Sequence, residues 1–138
     1  MMAKSTELGQ TMMAAIGTSE KTEGATYTMK KIRVLIKRPD EEYGHVCNIS
    51  DRLENLQKTV GGHIEVHQIT TSPDGKPILM VCNEEGKFLG LEHNFYWFDD
   101  EVVGTIFLCS AEGENLVGLP LTYGLAEWKK FINENRWV

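Results

Sequence analysis

The clearest periodicity in the chain is the alternation of apolar and polar side chains over residues 31–37, in which Leu35 is the one apolar residue on the otherwise basic face. Ile32, Val34 and Ile36 recur at every second position between mostly basic residues. A period of two places these side chains on one face of an extended chain, as in a half-buried β-strand. A turn begins at Pro39, and residues 45–49 follow as a second strand, so the pattern predicts a hairpin.

The apolar spacing changes directly after this hairpin. The next apolar residues are three or four positions apart, and they are Leu53, Leu56 and Val60. This is the spacing of one buried helical face. Ser50 is suited to cap the N-terminus of such a helix, and Gly61 is suited to end it in the left-handed conformation. A short helix is therefore predicted over residues 51–60.

The rest of the chain alternates between apolar runs and turn residues. Further strands are predicted at residues 63–69, 77–82, 102–110 and 116–119, with a short extended segment at 87–91. Residues 83–86 are typical of a tight hairpin turn with Gly86 at a positive φ. A last helix, capped by Thr122, carries Leu125, Trp128 and Ile132 on one face. Together these elements predict an α+β fold, with a mixed or mainly antiparallel sheet of about six strands and two helices packed on it.

Residues 92–100 have no clear periodicity and contain four consecutive aromatic residues. Phe95, Tyr96, Trp97 and Phe98 cannot all face one core if the segment is extended. Some of these rings either form a binding or dimer surface, or cover a second apolar patch at one end of the sheet. Both alternatives stay open, and Trp97 is the best single candidate for a contact residue.

The composition fits one compact domain behind an N-terminal tail. The 138 residues are 41% hydrophobic and 25% charged, which is typical of a globular protein that folds without a metal or a disulfide. Residues 1–28 are rich in Thr, Ser, Gly, Ala and Met. They are predicted to form a flexible tail that is dispensable for folding, and residues 29–138 are predicted to form a single domain.

Charge and cysteine content narrow the class of protein further. A net charge of −6 disfavours bulk DNA and anionic membranes as partners. No apolar run approaches the ~20 residues of a membrane span, and polar residues interrupt the N-terminal segment where a signal peptide would be continuous. Cys47, Cys82 and Cys109 lie in apolar runs, as expected of buried free thiols. A cytoplasmic protein is therefore predicted.

One basic cluster accompanies the first strand, and its members are Lys30, Lys31, Arg33, Lys37 and Arg38. Such a cluster could contact RNA or a phosphate. Acidic residues follow immediately at 40–42, however, and no stacking aromatic residues lie between the basic ones. A solvated strand face is favoured, and a nucleic-acid modulator that uses this strand is kept as an alternative function.

His63, Glu65 and His67 alternate along a predicted strand, so their side chains point to one face. Two imidazoles and a carboxylate on one face could bind a transition metal. No fourth ligand is evident at short spacing, so the sequence favours a solvent-facing polar side opposite Ile64 and Val66. Neither a metal nor another cofactor is predicted.

Several sequence blocks, in their order and spacing, resemble the domain of unknown function 3846 family. The blocks are Leu56–Val66, Val81–Lys87, Leu89–Leu91 with Asn94, and Val103–Thr105, within a resemblance from Met29 to about Ile132. The family usually has an aromatic residue in place of His63 and an apolar residue in place of His67. The resemblance implies a bacterial, phage or mobile-element setting and implies no activity.

No catalytic motif is evident, because the chain has no Gly-x-Ser-x-Gly elbow and its cysteines lack cationic neighbours. The leading hypothesis is a small binding or inhibitory module of phage or mobile-element type, acting in the host cytoplasm on a host protein or a small ligand. A small nucleotide-handling enzyme or ligand-binding domain is the second hypothesis, and self-association is kept open. The candidate contact residues are Glu65, Asn83, Glu85, His93, Asn94, Tyr96 and Trp97.

Overall fold

A computed structural model describes residues 30–98 and 100–135 of the chain. The predicted tail, residues 1–28, lies outside the described residues. The strands are β1 (Lys31–Lys37), β2 (His45–Ser50), β3 (Ile64–Thr71), β4 (Pro77–Asn83), β5 (His93–Trp97), β6 (Asp100–Val103), β7 (Ile106–Glu112) and β8 (Asn115–Val117). The helices are α1 (Leu53–Val60), α2 (Gly86–Leu89) and α3 (Leu125–Glu134).

Six of the strands form one antiparallel sheet at the centre of the fold. Their order is β2-β1-β7-β4-β3, and β8 pairs with β7. Strands β5 and β6 pair only with each other and form a separate two-stranded ribbon, called the β5–β6 ribbon below. The prediction of an α+β fold with about six mainly antiparallel strands is confirmed. None of the helices among the described residues is long and apolar enough to span a membrane.

The strand period of two divides the core into two clusters, one on each face of the sheet. One cluster lies under α1, and this side of the sheet is called the α1 face. Its buried side chains include Ile32, Val34, Ile36, Leu56, Val60, Ile64, Val66, Leu79, Val81 and Phe107. The alternation in β1 and the apolar positions of α1 are thus confirmed as one packed layer, and Gly61 ends the helix at φ 85° as predicted.

The opposite side, called the α3 face, is covered by two elements. Helix α3 covers one part, where Trp128 is fully buried and stacks on Phe131 at a ring distance of 5.6 Å. The β5–β6 ribbon contributes Phe95 and Val102, both 8% exposed. Phe95 meets the Trp128 ring edge-on at 5.5 Å, so the ribbon and the helix share one apolar cluster.

The long strand predicted at residues 102–110 is wrong, because the chain turns at Gly104. Gly104 has φ 76°, a conformation that favours glycine, and a Cβ there would lie 2.7 Å from Leu91 Cδ1. Its N–H donates to Glu92 O at 2.7 Å. This turn separates β6 from β7 and lets β6 pair with β5 instead of joining the main sheet.

The region after β4 also differs from its prediction. Residues 87–91 do not form an extended segment, because α2 occupies Gly86–Leu89 and Gly90 ends it at φ 71°. Gly86 is not among the glycines with positive φ. A Cβ on Gly86 would lie 2.9 Å from Val103 Cγ2, so close packing against β6, rather than turn geometry, requires a small residue here.

Both predicted helix caps are wrong. Helix α1 begins at Leu53, and Ser50 Oγ accepts a hydrogen bond from Arg52 N at 3.3 Å without capping the helix. At the start of α3, Glu127 Oε1 accepts from the N–H of the N-cap Gly124 at 2.9 Å. Thr122 instead donates to Asp74 Oδ1 at 2.7 Å. Both helices therefore begin further along the chain than the predicted caps, and the hydroxyls of Ser50 and Thr122 take part in other hydrogen bonds.

The basic side of β1 is solvated at one end only: Lys31 is exposed, whereas Lys37 points into the α3 face and is 2% exposed. The Arg33 guanidinium donates to the carbonyl oxygens of Pro120 and Tyr123, each at 3.0 Å. Arg33 thereby holds the segment that leads into α3. Two of the basic side chains proposed for nucleic-acid contact are therefore used inside the fold.

Candidate functional site

A cavity of about 250 Å³ lies between the ends of β3 and β4, helix α2 and the β5–β6 ribbon. It is called the ribbon cavity below. Five carboxylates line it, and they are Glu65, Glu84, Glu85, Asp100 and Glu101. His67, Cys82, Phe88 and Trp97 are also part of the lining. The cavity therefore combines a strongly acidic character with two aromatic rings.

Glu65 and His67 form a buried pair at this cavity. Both residues are 7% exposed, and His67 Nε2 lies 3.1 Å from Glu65 Oε2. The prediction of a solvent-facing side for these residues is wrong, because the β5–β6 ribbon lies over the α3 face of β3. His63 precedes β3 and is exposed, so it does not share their environment.

Cys82 joins this pair from the neighbouring strand. It is the cross-strand partner of Glu65 in the β3–β4 register, and its thiol lies 3.7 Å from Glu65 O. Burial, together with the nearby carboxylates of Glu65 and Asp100, raises the pKa of the Cys82 thiol to about 12. The thiol is therefore protonated at neutral pH and is not a nucleophile in this state.

The four aromatic residues alternate in orientation, as the strand period requires. Phe95 is buried, while Tyr96 and Phe98 are 44% and 51% exposed. Trp97 is half-buried and meets the His67 ring edge-on at 5.6 Å. The Trp97 indole N–H is buried and has no acceptor among the described residues. Phe95 thus covers an apolar patch, as one alternative expects, and a binding or dimer surface that includes Tyr96 and Phe98 stays a prediction.

The mouth of the ribbon cavity carries charged and apolar groups from α2 and β6. Lys87 Nζ lies 2.7 Å from Asp100 Oδ1, and both side chains are exposed. This hydrogen bond raises the pKa of Lys87 and lowers that of Asp100. The one lysine in the lining is thus paired with a carboxylate. Phe88 is 88% exposed beside this pair.

Asn83 and Asn94 make hydrogen bonds that hold the fold together. Asn83 Nδ2 donates to Val60 O at 3.2 Å, which ties β4 to the end of α1. Asn94 Nδ2 donates to Lys37 O at 2.9 Å and to Gly104 O at 2.7 Å, and its Oδ1 accepts from Lys37 Nζ. Both side chains therefore position the walls of the site, with Asn94 anchoring the ribbon to β1.

The candidate residues separate into two groups. Glu65, Asn83, Glu85 and Trp97 line the ribbon cavity. His93, Asn94 and Tyr96 line a different depression beside β1 and residues 39–42, where His93 Nδ1 lies 2.8 Å from Glu101 Oε2.

Cys82, Asp100 and Glu101 line the ribbon cavity, but they are not among the contact residues predicted from the sequence. The signal for Cys82 was the β3–β4 hairpin, whose register places it opposite Glu65. No comparable signal existed for the other two, since the ribbon itself was not predicted.

Comparison with known proteins identifies the family of the domain. The family model described as domain of unknown function (DUF3846) matches residues 31–129, which include every strand and the whole lining of the ribbon cavity. No curated protein and no solved structure matches the chain. The family match covers well over half of the sequence, so the chain belongs to the DUF3846 family.

Proposed function

We propose that this domain is a binding module for a small ligand with a positively charged group, and that the ribbon cavity holds the ligand. One observation carries the proposal: five carboxylates and two aromatic rings surround one cavity of about 250 Å³. Carboxylates attract and hydrogen-bond ammonium or guanidinium groups, and aromatic faces attract cations. A cavity of this size fits a compact organic cation rather than a cofactor.

The balance of charge disfavours a nucleotide in the same place. Lys87 is the one lysine or arginine that the described residues contribute to the lining, and it is hydrogen-bonded to Asp100. A phosphate group would therefore meet an excess of negative charge. Exclusion of phosphates is thus part of the proposal, which favours a binding role over the nucleotide-handling enzyme.

A thermal-shift panel tests this ligand class. The protein is heated in buffer that contains a chelator, together with arginine, agmatine, spermidine or choline. Glutamate, citrate and AMP serve as anionic comparisons in separate samples. At least one cation should stabilise the fold, by about 2.7 kcal/mol at a concentration one hundred times its Kd. Stabilisation by AMP and by none of the cations would contradict the proposal and support the nucleotide alternative.

Matched charge variants locate the binding. Glu85→Gln combined with Glu101→Gln removes two carboxylates from the cavity mouth and should weaken cation binding about tenfold, or about 1.4 kcal/mol. Glu54→Gln combined with Glu134→Gln changes the net charge equally at exposed positions on α1 and α3 that do not line the cavity. Equal weakening by the two pairs would indicate a nonspecific charge effect instead of a site.

A partner protein is the second candidate ligand, favoured by the exposed rings near the cavity mouth. Phe88 is 88% exposed, and Phe98 is 51% exposed and contacts Trp97 at a ring distance of 5.6 Å. A basic side chain of a partner could enter the acidic cavity while its apolar neighbours cover these rings. An inhibitory role, a phage or mobile-element setting and self-association stay predictions.

A further inference from the structure

We propose that Glu65, His67 and Cys82 form a binding site for a zinc-type divalent transition-metal ion at the base of the ribbon cavity. The three side chains come from adjacent strands of one rigid sheet, and one ligand atom from each lies within 4.8 Å of the others. The inference goes beyond the proposed function and stands without it, because no organic ligand is involved.

The strand register brings the three donors together. Glu65 and His67 are two residues apart on β3, so their side chains share the α3 face, and Cys82 is opposite Glu65 on β4. In a zinc site with bonds of about 2.0–2.3 Å, ligand atoms lie about 3–4 Å apart. The present separations, at most 4.8 Å, must therefore shorten by about 1 Å to reach that range.

The buried environment of Glu65 favours an added positive ion. A buried carboxylate is costly unless it is paired, and the side chain paired with Glu65 is His67, whose Nε2 lies 3.1 Å from Glu65 Oε2. One unsatisfied group lies beside the pair: the buried indole N–H of Trp97, whose ring contacts His67, has no acceptor among the described residues. An oxygen ligand on the ion would offer such an acceptor.

The donor set selects the type of ion. A thiolate, an imidazole and a carboxylate together suit zinc and similar transition metals, whereas calcium and magnesium prefer oxygen ligands alone. The three side chains supply three of the four positions of a tetrahedral ion. The fourth position would face the cavity, which is the arrangement that leaves room for water or an exogenous ligand.

Metal binding at this site must release a proton. Only the thiolate of a cysteine is a metal ligand, so coordination by Cys82 Sγ displaces the thiol proton. The apparent affinity should therefore rise with pH, by about tenfold per unit for one released proton. The alternative ligand set of His63, Glu65 and His67 contains no thiol. Metal binding by that set would therefore release no thiol proton and give no sulfur-to-metal charge-transfer band.

Cobalt titration of the full chain, first stripped with a chelator, tests the site directly. One equivalent of Co²⁺ should give a thiolate-to-cobalt charge-transfer band, and one equivalent of Zn²⁺ should displace it. Cys82→Ser should abolish the band, and His67→Gln and Glu65→Gln should weaken binding. Cys47→Ser and His63→Gln are the matched controls, and both should bind cobalt as the wild type does. Circular dichroism checks that every variant is folded.

Three results would overturn the proposal: no charge-transfer band at one equivalent, a band that survives Cys82→Ser, or a band lost in Cys47→Ser. The last result would place the metal near β2 instead. The thermal-shift panel of organic cations contains a chelator, so its result does not depend on metal binding. Failure of that panel and failure of the cobalt titration can therefore be distinguished.

Discussion

The two faces of the central sheet are built from the same strands but closed in different ways. The α1 face is covered by one helix, and its core cluster is made of apolar side chains and Cys109. The α3 face is shared between helix α3, over an apolar cluster, and the β5–β6 ribbon, which carries Asn94 and lies over Lys37, Glu65 and His67. Buried ionisable groups lower stability unless they are paired. The ribbon side of the sheet therefore depends on the pairing of buried polar groups, whereas the α1 face depends on apolar packing.

The largest expected effects come from the apolar core of each face. Leu56→Ala under α1 should lower the free energy of unfolding by about 2–5 kcal/mol, and Trp128→Ala on α3 by about 3–5 kcal/mol. Both side chains are fully buried, and Trp128 Nε1 also donates to Tyr43 O at 2.8 Å. Urea denaturation measures both losses.

Leu121→Ala is the control for these truncations, because Leu121 is 91% exposed and its replacement should change stability by less than about 0.5 kcal/mol. A loss below about 1 kcal/mol for Leu56→Ala or Trp128→Ala would contradict the packing of that face.

The next effect concerns the polar anchor of the ribbon. Asn94→Leu removes the side-chain oxygen that accepts a hydrogen bond from Lys37 Nζ. It also removes the amide group that donates to the buried carbonyl oxygens of Lys37 and Gly104. Unfolding free energy should fall by about 2–3 kcal/mol. Adding Lys37→Met should recover part of that loss, because it removes the buried ammonium group whose hydrogen bond to Asn94 Oδ1 is lost.

The double-mutant cycle gives the coupling between Lys37 and Asn94, expected at about 1–3 kcal/mol. Purely additive losses would mean that the two side chains act independently and that other contacts hold the ribbon.

Sequence patterns predicted the α1 face better than the α3 face. The alternation of Ile32, Val34 and Ile36 and the spacing of Leu56 and Val60 are local signals with one period each. The ribbon depends on a single turn at Gly104, inside a run that is apolar enough to continue as one strand. Because that turn was not visible, neither was the burial of Glu65 and His67, which depends on contacts far apart in the chain.

Alkaline titration compares one cysteine from each face. In the unfolded chain the Cys82 thiol should ionise near pH 9.0, whereas in the folded protein it ionises near pH 12. The unfolded state therefore loses its proton first, and stability should fall by about 1.4 kcal/mol per pH unit for this group between these values. Cys109, on the α1 face, also has a raised pKa because of burial.

Glu65→Gln separates the two thiols. The Glu65 carboxylate contributes to the raised pKa of Cys82, whereas burial alone raises the pKa of Cys109. The variant should lower the pKa of Cys82 and leave that of Cys109 unchanged. Thiolate absorbance is followed against pH in buffer that contains a chelator. Repeating the titration in Cys82→Ala and in Cys109→Ala assigns each ionisation step to one thiol. An equal change in both thiols would mean that Glu65 acts through the whole fold.

The smallest effect on stability is expected at the cavity mouth, from Phe88→Ala. Phe88 is 88% exposed and Phe95 is 8% exposed, so the same truncation compares a ring at the mouth with one that closes the α3 face. Phe95→Ala should lower the unfolding free energy by about 3–5 kcal/mol, and Phe88→Ala by less than about 0.5 kcal/mol.

Phe88→Ala should nevertheless weaken binding of whichever cation stabilises the wild type, since an exposed aromatic face contributes about 0.5–1 kcal/mol to holding a cation. Isothermal titration with that cation measures the change. If affinity and stability both stay at wild-type values, the Phe88 ring takes no part in cation binding. Its exposure then favours the partner-protein alternative, and a pull-down experiment that compares Phe88→Ala with the wild type tests that alternative.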